Sequence, residues 1–222
     1  MPGSPRTRPA KPALSRESIV AAALDLVDEF GSDAVTMRRV ANAVDTAPAS
    51  LYVYVADRRE LMALAHDLAV ADVALPADAD GDWRTRLELL VKRVVDALAA
   101  HGDIAAVGLR DLMAGPNSLR IIEEILRLLR AGGVADEARA WAVDLFGQYI
   151  ASSALEESSH RARQAGQPSD ALAARLDAVY TTLPVEDYPA IRALAPLLTS
   201  GDATSRAAWK LRVLIDGILA QS

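Results

Sequence analysis

The sequence predicts an all-α protein, in which an N-terminal three-helix helix-turn-helix domain is followed by a larger helical C-terminal domain. Three observations carry this. Half of the 222 residues are hydrophobic but only 5% are aromatic, and Ala and Leu dominate, a composition that favours helices over strands. Apolar residues recur at spacings of three and four along most of the chain, as one face of a helix requires. Residues 35–61, VTMRRVANAVDTAPASLYVYVADRREL, read as two short helices joined by a tight turn, then the start of a third.

The elements follow in order. Ser15 is a good N-cap for a first helix running to Phe30, Glu17 sits in its favourable first turn, and Gly31 can end it. Its expected buried stripe is Ile19, Ala22, Ala23, Leu26 and Phe30. Thr36 caps a second helix whose apolar side is Met37, Val40, Ala41 and Val44. Asp45-Thr46 breaks that pattern, and Pro48 suits only the first turn of the next helix. That third helix, Ala47 to about Val55, turns Leu51 and Val55 inward and leaves Ser50, Tyr52 and Tyr54 outside. Asp57 caps a fourth, carrying Leu61, Leu64, Ala65, Leu68 and Val73.

Residues 76–82, PADADGD, are a polar breaker that reads as a domain boundary. It separates a domain of residues 14–74 from one of residues 82–222, and a basic arm of residues 1–13 precedes both as an expected disordered tail. The second domain begins with a helix from Trp83 to Ala100 that buries Leu87, Leu90, Val91, Val94 and Leu98. A short helix covers Ile104 to Met113. The next opens at Pro116 with Leu119, Ile122, Leu126 and Leu129 inside, and Gly132-Gly133 ends it. A long helix runs from Asp136 to His160. Residues 161–169 read as a loop, then come a helix from Asp170 to Leu183, an irregular stretch punctuated by prolines, and a last helix from Ala203 to Ala220.

Composition bounds the function. With no cysteine there is neither a disulfide framework nor a thiolate metal site, which suits a reducing cytoplasm. The arm has basic charge but no apolar run behind it, so no signal peptide is expected. No apolar stretch approaches the ~18 residues of a membrane span. The net charge of -6 argues against nucleic acid until its distribution is read. Residues 1–61 hold eight basic and eight acidic residues, so the whole negative excess lies in residues 62–222. A neutral domain with its cations gathered on one face, carried by an acidic body, is compatible with DNA.

Thr36-Met37-Arg38-Arg39-Val40-Ala41, Ser50-Leu51-Tyr52, Val55 and Arg58-Arg59-Glu60-Leu61 resemble the DNA-binding domain of the TetR family of bacterial repressors. The likeness begins at residues 14–24, LSRESIVAAAL, and runs through Asp28-Glu29-Phe30-Gly31. It covers about sixty residues and several spaced signals, far more specific than a lone motif. The resemblance implies roles for individual residues. Arg38 matches a position that reaches a base edge, where an arginine can grip guanine through two hydrogen bonds. Ala47, Pro48, Ala49 and Ser50 would face the major groove. Thr36, Tyr52, Tyr54 and Arg58 match phosphate-contacting positions, which set register and carry little sequence information. Tyr52 has a second reading, as a ring covering the core. Arg39 and Arg59 read better as surface ion pairs. The family's usual turn glycine is replaced by Val44-Asp45-Thr46, so a slightly remodelled turn is expected.

For the C-terminal domain the resemblance implies a small-molecule pocket and dimerisation through a bundle of late helices. The long helix is apolar on two sides, Trp141, Leu145 and Leu155 against Val143, Phe146, Ile150 and Ala154, and a partner subunit is the natural cover. Expected dimer residues are Leu145, Ser153, Leu211, Leu214, Ile215 and Ile218; the alternative is a single-chain core that uses them all. Candidate effector contacts are His101, Arg110, Met113, Trp141, Gln148, Tyr149 and Ser152, each of which also reads as a satisfied core polar or a dimer-interface residue. Glu156 could match the acid of the tetracycline–magnesium site, but Gly108 stands where its histidine is expected, so no metal and no cofactor is expected. An enzyme is disfavoured, because the three histidines have neither a cysteine nor a Gly-rich phosphate loop nor a GxSxG motif beside them. The functional expectation is a cytoplasmic regulator that binds a palindromic DNA operator as a homodimer, does not enter a membrane, and is released by an unknown small-molecule effector. A DNA-binding regulator without ligand control is the alternative.

Overall fold

The computed structural model describes residues 14–110, 114–166, 170–200 and 202–221. Among them every regular element is helical. None of the described helices is long and apolar enough to cross a membrane. The arm with Arg6, Arg8 and Lys11, and the effector candidate Met113, lie outside the described residues.

The first helix, α1 (Arg16–Phe30), opens on a reciprocal capping box between Ser15 and Ser18. Its buried residues are Ile19, Val20, Ala23, Leu24 and Val27, a stripe rotated from the one expected. Phe30 is 48% exposed and lies 4.8 Å beneath the Arg39 guanidinium instead. The rotation follows from packing, since α1 lies against both α2 (Met37–Ala43) and α4 (Arg58–Ala69). Thr36 and Asp57 cap α2 and α4 as expected, each side chain accepting a hydrogen bond from the backbone N–H three residues on. Between them, α3 (Pro48–Leu51) is shorter than its sequence suggests, yet Leu51 and Val55 are both buried. Asp45 takes the left-handed conformation itself, with φ 51, so the turn closes without the family's glycine. A short acidic side chain tolerates that region better than most residues do.

The body comprises α5 (Trp83–Ala99), α6 (Ala105–Gly108), α7 (Pro116–Ala131), α8 (Asp136–Gly166), α9 (Asp170–Thr182), α10 (Pro189–Leu198) and α11 (Ala203–Leu219). On α5 all five expected residues are buried. On α7 the inward residues are Ile121, Ile125, Leu128 and Leu129, and Leu119 is exposed. This helix meets α4, α5 and α8, and its N-terminus is pulled inward by a buried acid. Helix α8 continues past His160 to Gly166. The stretch read as irregular contains α10, because Pro189 occupies a first-turn position and Pro196 falls late in the helix.

The two domains share one hydrophobic cluster, running from α1 through Val70 and Val73 into α5 and α8. The core thus continues past the expected boundary at residues 76–82. Two polar clamps add to that joint. Asp67, on α4, is buried and accepts from Ser118 N and Oγ (2.8 Å each) and from Asn117 Nδ2 (3.0 Å) at the start of α7. One turn on, Arg120 donates to the carbonyls of Val73 (2.8 Å) and Ala71 (3.0 Å) just past the end of α4. Asp67→Ala removes the acceptor and strands those buried donors, at a cost of about 2–4 kcal/mol. Urea unfolding at fixed protein concentration should show a lower midpoint with an unchanged slope.

His66, beside Asp67, is buried against α6. A Cβ at Gly108 would come within 3.2 Å of its Nε2, and its Nδ1 has no hydrogen-bond partner among the described residues. Burial lowers its pKa to about 4, against an opposing pull from the Asp67 charge. Between pH 6.5 and 4 the unfolded histidine binds a proton that the folded one refuses, so stability is lost as the pH falls through that window. The loss reaches about 3 kcal/mol. His66→Leu should flatten this part of the stability–pH curve, as measured by denaturation at pH 7 and pH 4.5.

Candidate DNA-reading surface and cavity

The outer face of the helix-turn-helix is assembled by the burial of Val40, Ala41, Leu51 and Val55 beneath it. With those four inward, Arg38, Ala47, Pro48 and Ala49 are left exposed and Ser50 half-buried. Arg38 is held by no hydrogen bond or ion pair among the described residues, so its guanidinium projects unengaged from the first turn of α2. Tyr52 is 56% exposed, and Val53, which sequence reasoning passed over, is 82% exposed. Its signal was available, since Val53 falls between the inward positions 51 and 55 on a helical turn and so cannot point into the core.

The other nominated residues have internal duties. Thr36 accepts the α2 cap hydrogen bond from Arg39 N at 3.2 Å. Tyr54 is half-buried and donates to the Leu14 carbonyl at 3.0 Å, tying down the start of α1. Arg58 donates Nε to Val35 O and Nη2 to Ser32 O, both at 2.6 Å. Arg39 bonds the Ala34 carbonyl besides covering Phe30.

A cavity of about 450 Å³ lies in the C-terminal domain between α5, α8 and α11. Its walls are Leu89, Val91 and Val95 from α5, Tyr149 and Ser153 from α8, and Ala207, Ala208 and Leu211 from α11. The Tyr149 hydroxyl donates to the Ala207 carbonyl at 2.9 Å and so holds α11 to α8. Its charged lining residues are largely paired: Lys92 with Asp96 (2.5 Å), Glu156 with Lys210 (2.6 Å), and Glu157 with Arg161 (2.9 Å). Thus Glu156, matched by resemblance to a metal-binding acid, is engaged with a lysine.

The structure redistributes the nominated pocket and dimer residues. Of the effector candidates, Tyr149 lines the cavity. His101 pairs with Asp28 at 3.0 Å, and Arg110 borders a separate 90 Å³ crevice beside Ser32 and Arg58. Trp141, Gln148 and Ser152 are exposed and share with Leu145 one outward stripe of α8, at spacings of 4, 3 and 4. Gln148 bonds Asp144 and Ser152 bonds its own helix. Among the dimer candidates, Leu145 is exposed and Leu214 half-buried, whereas Leu211, Ile215 and Ile218 are buried in the chain's own core. Ser153 is also buried and opens on the cavity. The outward apolar residues of these two helices are Trp141 (71% exposed), Leu145, Trp209 (60%) and Val213. The helices are apolar on both sides, and periodicity alone cannot say which side faces home.

A helix-turn-helix with an exposed outer face, joined through one core to a helical body with an open cavity, defines a two-domain DNA-binding transcriptional regulator. Residues 19–65 match the family described as "Bacterial regulatory proteins, tetR family", and residues 75–222 match "Tetracyclin repressor-like, C-terminal domain". The chain belongs to the TetR family. It is 31% identical over 183 residues to an HTH-type transcriptional regulator of Saccharopolyspora erythraea, covering 82% of this chain and 75% of that one. To the HTH-type transcriptional repressor DrrR1 of Streptomyces coeruleorubidus it is 30% identical over 152 residues, 68% of this chain, and that match spans 56% of the relative's length. The crystal structure of the Streptomyces coelicolor TetR family protein ActR in complex with actinorhodin superposes with a TM-score of 0.82 at 33% identity, over 94% of this chain and 98% of that one.

Proposed function

We propose that this chain is a cytoplasmic transcriptional repressor, not an enzyme, that binds a palindromic DNA operator as a homodimer and is released by a small organic effector. The observation that carries the reading is the unengaged Arg38, next to the exposed Ala47, Pro48 and Ala49. Arg38 would read a guanine, and Pro48, Ala49 and Val53 would pack on thymine methyl groups in the major groove. Tyr52, with Thr36, would contact phosphate. Two heads related by a two-fold axis would enter successive major grooves a helical turn apart.

The effector would occupy the cavity between α5, α8 and α11, whose volume falls within the usual range for small-molecule sites. Apolar walls with a few hydroxyls, those of Thr85, Ser153 and Thr204, suit a medium-sized, largely apolar molecule. ActR is crystallised with actinorhodin, which supports an organic effector here too. The outward residues Trp141, Leu145, Trp209 and Val213 would form the dimer interface, with Gln148 and Ser152 at its polar edge.

Binding to the DNA flanking its own gene, measured by fluorescence anisotropy across a salt series, tests the reading. Tight binding that weakens steeply with salt is expected. Arg38→Ala should cost about 1–3 kcal/mol and relax selectivity at one base of each half-site. Weak binding on every sequence, untouched by the substitution, would sink operator recognition. For the interface, the double variant Trp209→Ser/Val213→Ser should raise the dimer dissociation constant by at least about 100-fold in sedimentation equilibrium. An unchanged dimer would move the interface elsewhere.

A further inference from the structure

The turn that ends α5 grips the DNA-binding domain at three consecutive residues. His101 Nδ1 lies 3.0 Å from the Asp28 carboxylate on α1. Gly102 has φ 55, and a Cβ there would come within 3.3 Å of the Val27 carbonyl, so the turn lies directly against α1. Asp103 accepts from Ser32 N (2.6 Å) and Ser32 Oγ (2.7 Å), and Ser32 is buried. This segment is the entrance to the helix-turn-helix. Arg58 of α4 clamps the Ser32 and Val35 carbonyls, and the next residue, Thr36, caps α2.

The other end of the connection is the cavity. Lys92, Val95 and Asp96 of α5 line it, and Asp96 is seven residues before Asp103. The intervening chain is a helix end and one hydrogen-bonded turn: Ala100 N bonds Asp96 O, His101 N bonds Leu98 O, and Ile104 N bonds His101 O. A displacement of α5 at the cavity wall therefore has only the tight turn at residues 100–103 to cross before it reaches Ser32.

We propose that Asp103 is the positioning residue through which occupancy of the α5–α8–α11 cavity sets the orientation of the DNA-reading helices, with Ser32 as its receiver. This rests on the effector reading of the cavity. A molecule that shifts α5 moves the Asp103 carboxylate, and Ser32 carries the Arg58-braced start of α2 with it. Because a ligand shifts an equilibrium only by its differential affinity for two states, breaking the Asp103–Ser32 contact should uncouple the cavity from the DNA without emptying either site.

The test is a double-mutant cycle read as operator affinity, on the duplex that the wild-type protein selects from a randomised library. Cavity occupancy is imitated by filling substitutions, Ala207→Phe and, independently, Ser153→Leu, and folding of every variant is checked by thermal melting. With Asp103 intact, filling should weaken operator binding by about tenfold, a typical coupling between two sites. In the Asp103→Ala background the same filling should change it less than about twofold, whatever the basal affinity of that variant, because the ratio is taken within one background. Asp103→Asn, which retains an acceptor for Ser32 N, should restore much of the factor. An equal weakening in the Asp103→Ala background would overturn the role of Asp103 while leaving the effector reading intact. No weakening on filling in either background would overturn both.

Discussion

The arrangement of the molecule depends on one buried carboxylate. Asp67 projects from α4, the last helix of the DNA-binding domain, and receives the hydrogen bonds of Ser118 and Asn117 at the start of α7. A charge so placed is tolerable because helix N-terminal amides are unpaired donors with a favourable dipole. The contact has directional consequences. It fixes the rotation of α7, turning Ile121, Ile125 and Leu128 inward, and with Arg120 it clips α7 along the end of α4. Gly115 is required beside it, since a Cβ there would fall 2.2 Å from the Asp67 carboxyl carbon. The two domains consequently meet through packed helices, not across a bare linker.

A second joint is of a different kind. Where the α4–α7 contact is buried, the α5 turn meets α1 and the buried Ser32 through its own partly exposed side chains, His101 toward Asp28 and Asp103 toward Ser32. Partly hydrated polar contacts are weaker and more readily exchanged than buried ones. A regulator needs both sorts of joint, one to keep the heads attached and one to let them turn. The cavity lies beside the second, with α5 forming both its wall and the stem of the turn.

The electrostatics follow the same division. The acidic excess of the chain resides in the body, where carboxylates lining the cavity are matched by Lys92, Lys210 and Arg161. On the small domain Arg16 is paired with Glu60 and Arg58 with carbonyls, which leaves Arg38 as an unengaged cation on the reading face. In the proposed reading selectivity would rest on few groups as a result, and the internally bonded arginines brace the platform that presents them.

Helix type, caps and the identity of the helix-turn-helix were legible in the chain because they depend on local rules. Ser15, Thr36 and Asp57 cap where their side chains can reach a backbone N–H three residues on, and Leu51 with Val55 had only one side of a short helix to turn inward. The family likeness at residues 14–61 was legible for the same reason. What the sequence could not settle was rotation and partnership. Periodicity shows that α8 and α11 have two apolar sides but not which side the chain keeps for itself. Leu211, Ile215 and Ile218 turned home, and Trp141, Leu145, Trp209 and Val213 turned out. Nor could spacing reveal that Asp103 reaches Ser32 across 71 residues, or that the cavity lies between α5, α8 and α11. Those facts belong to tertiary packing, because each depends on which of several chemically similar faces finds a complementary neighbour.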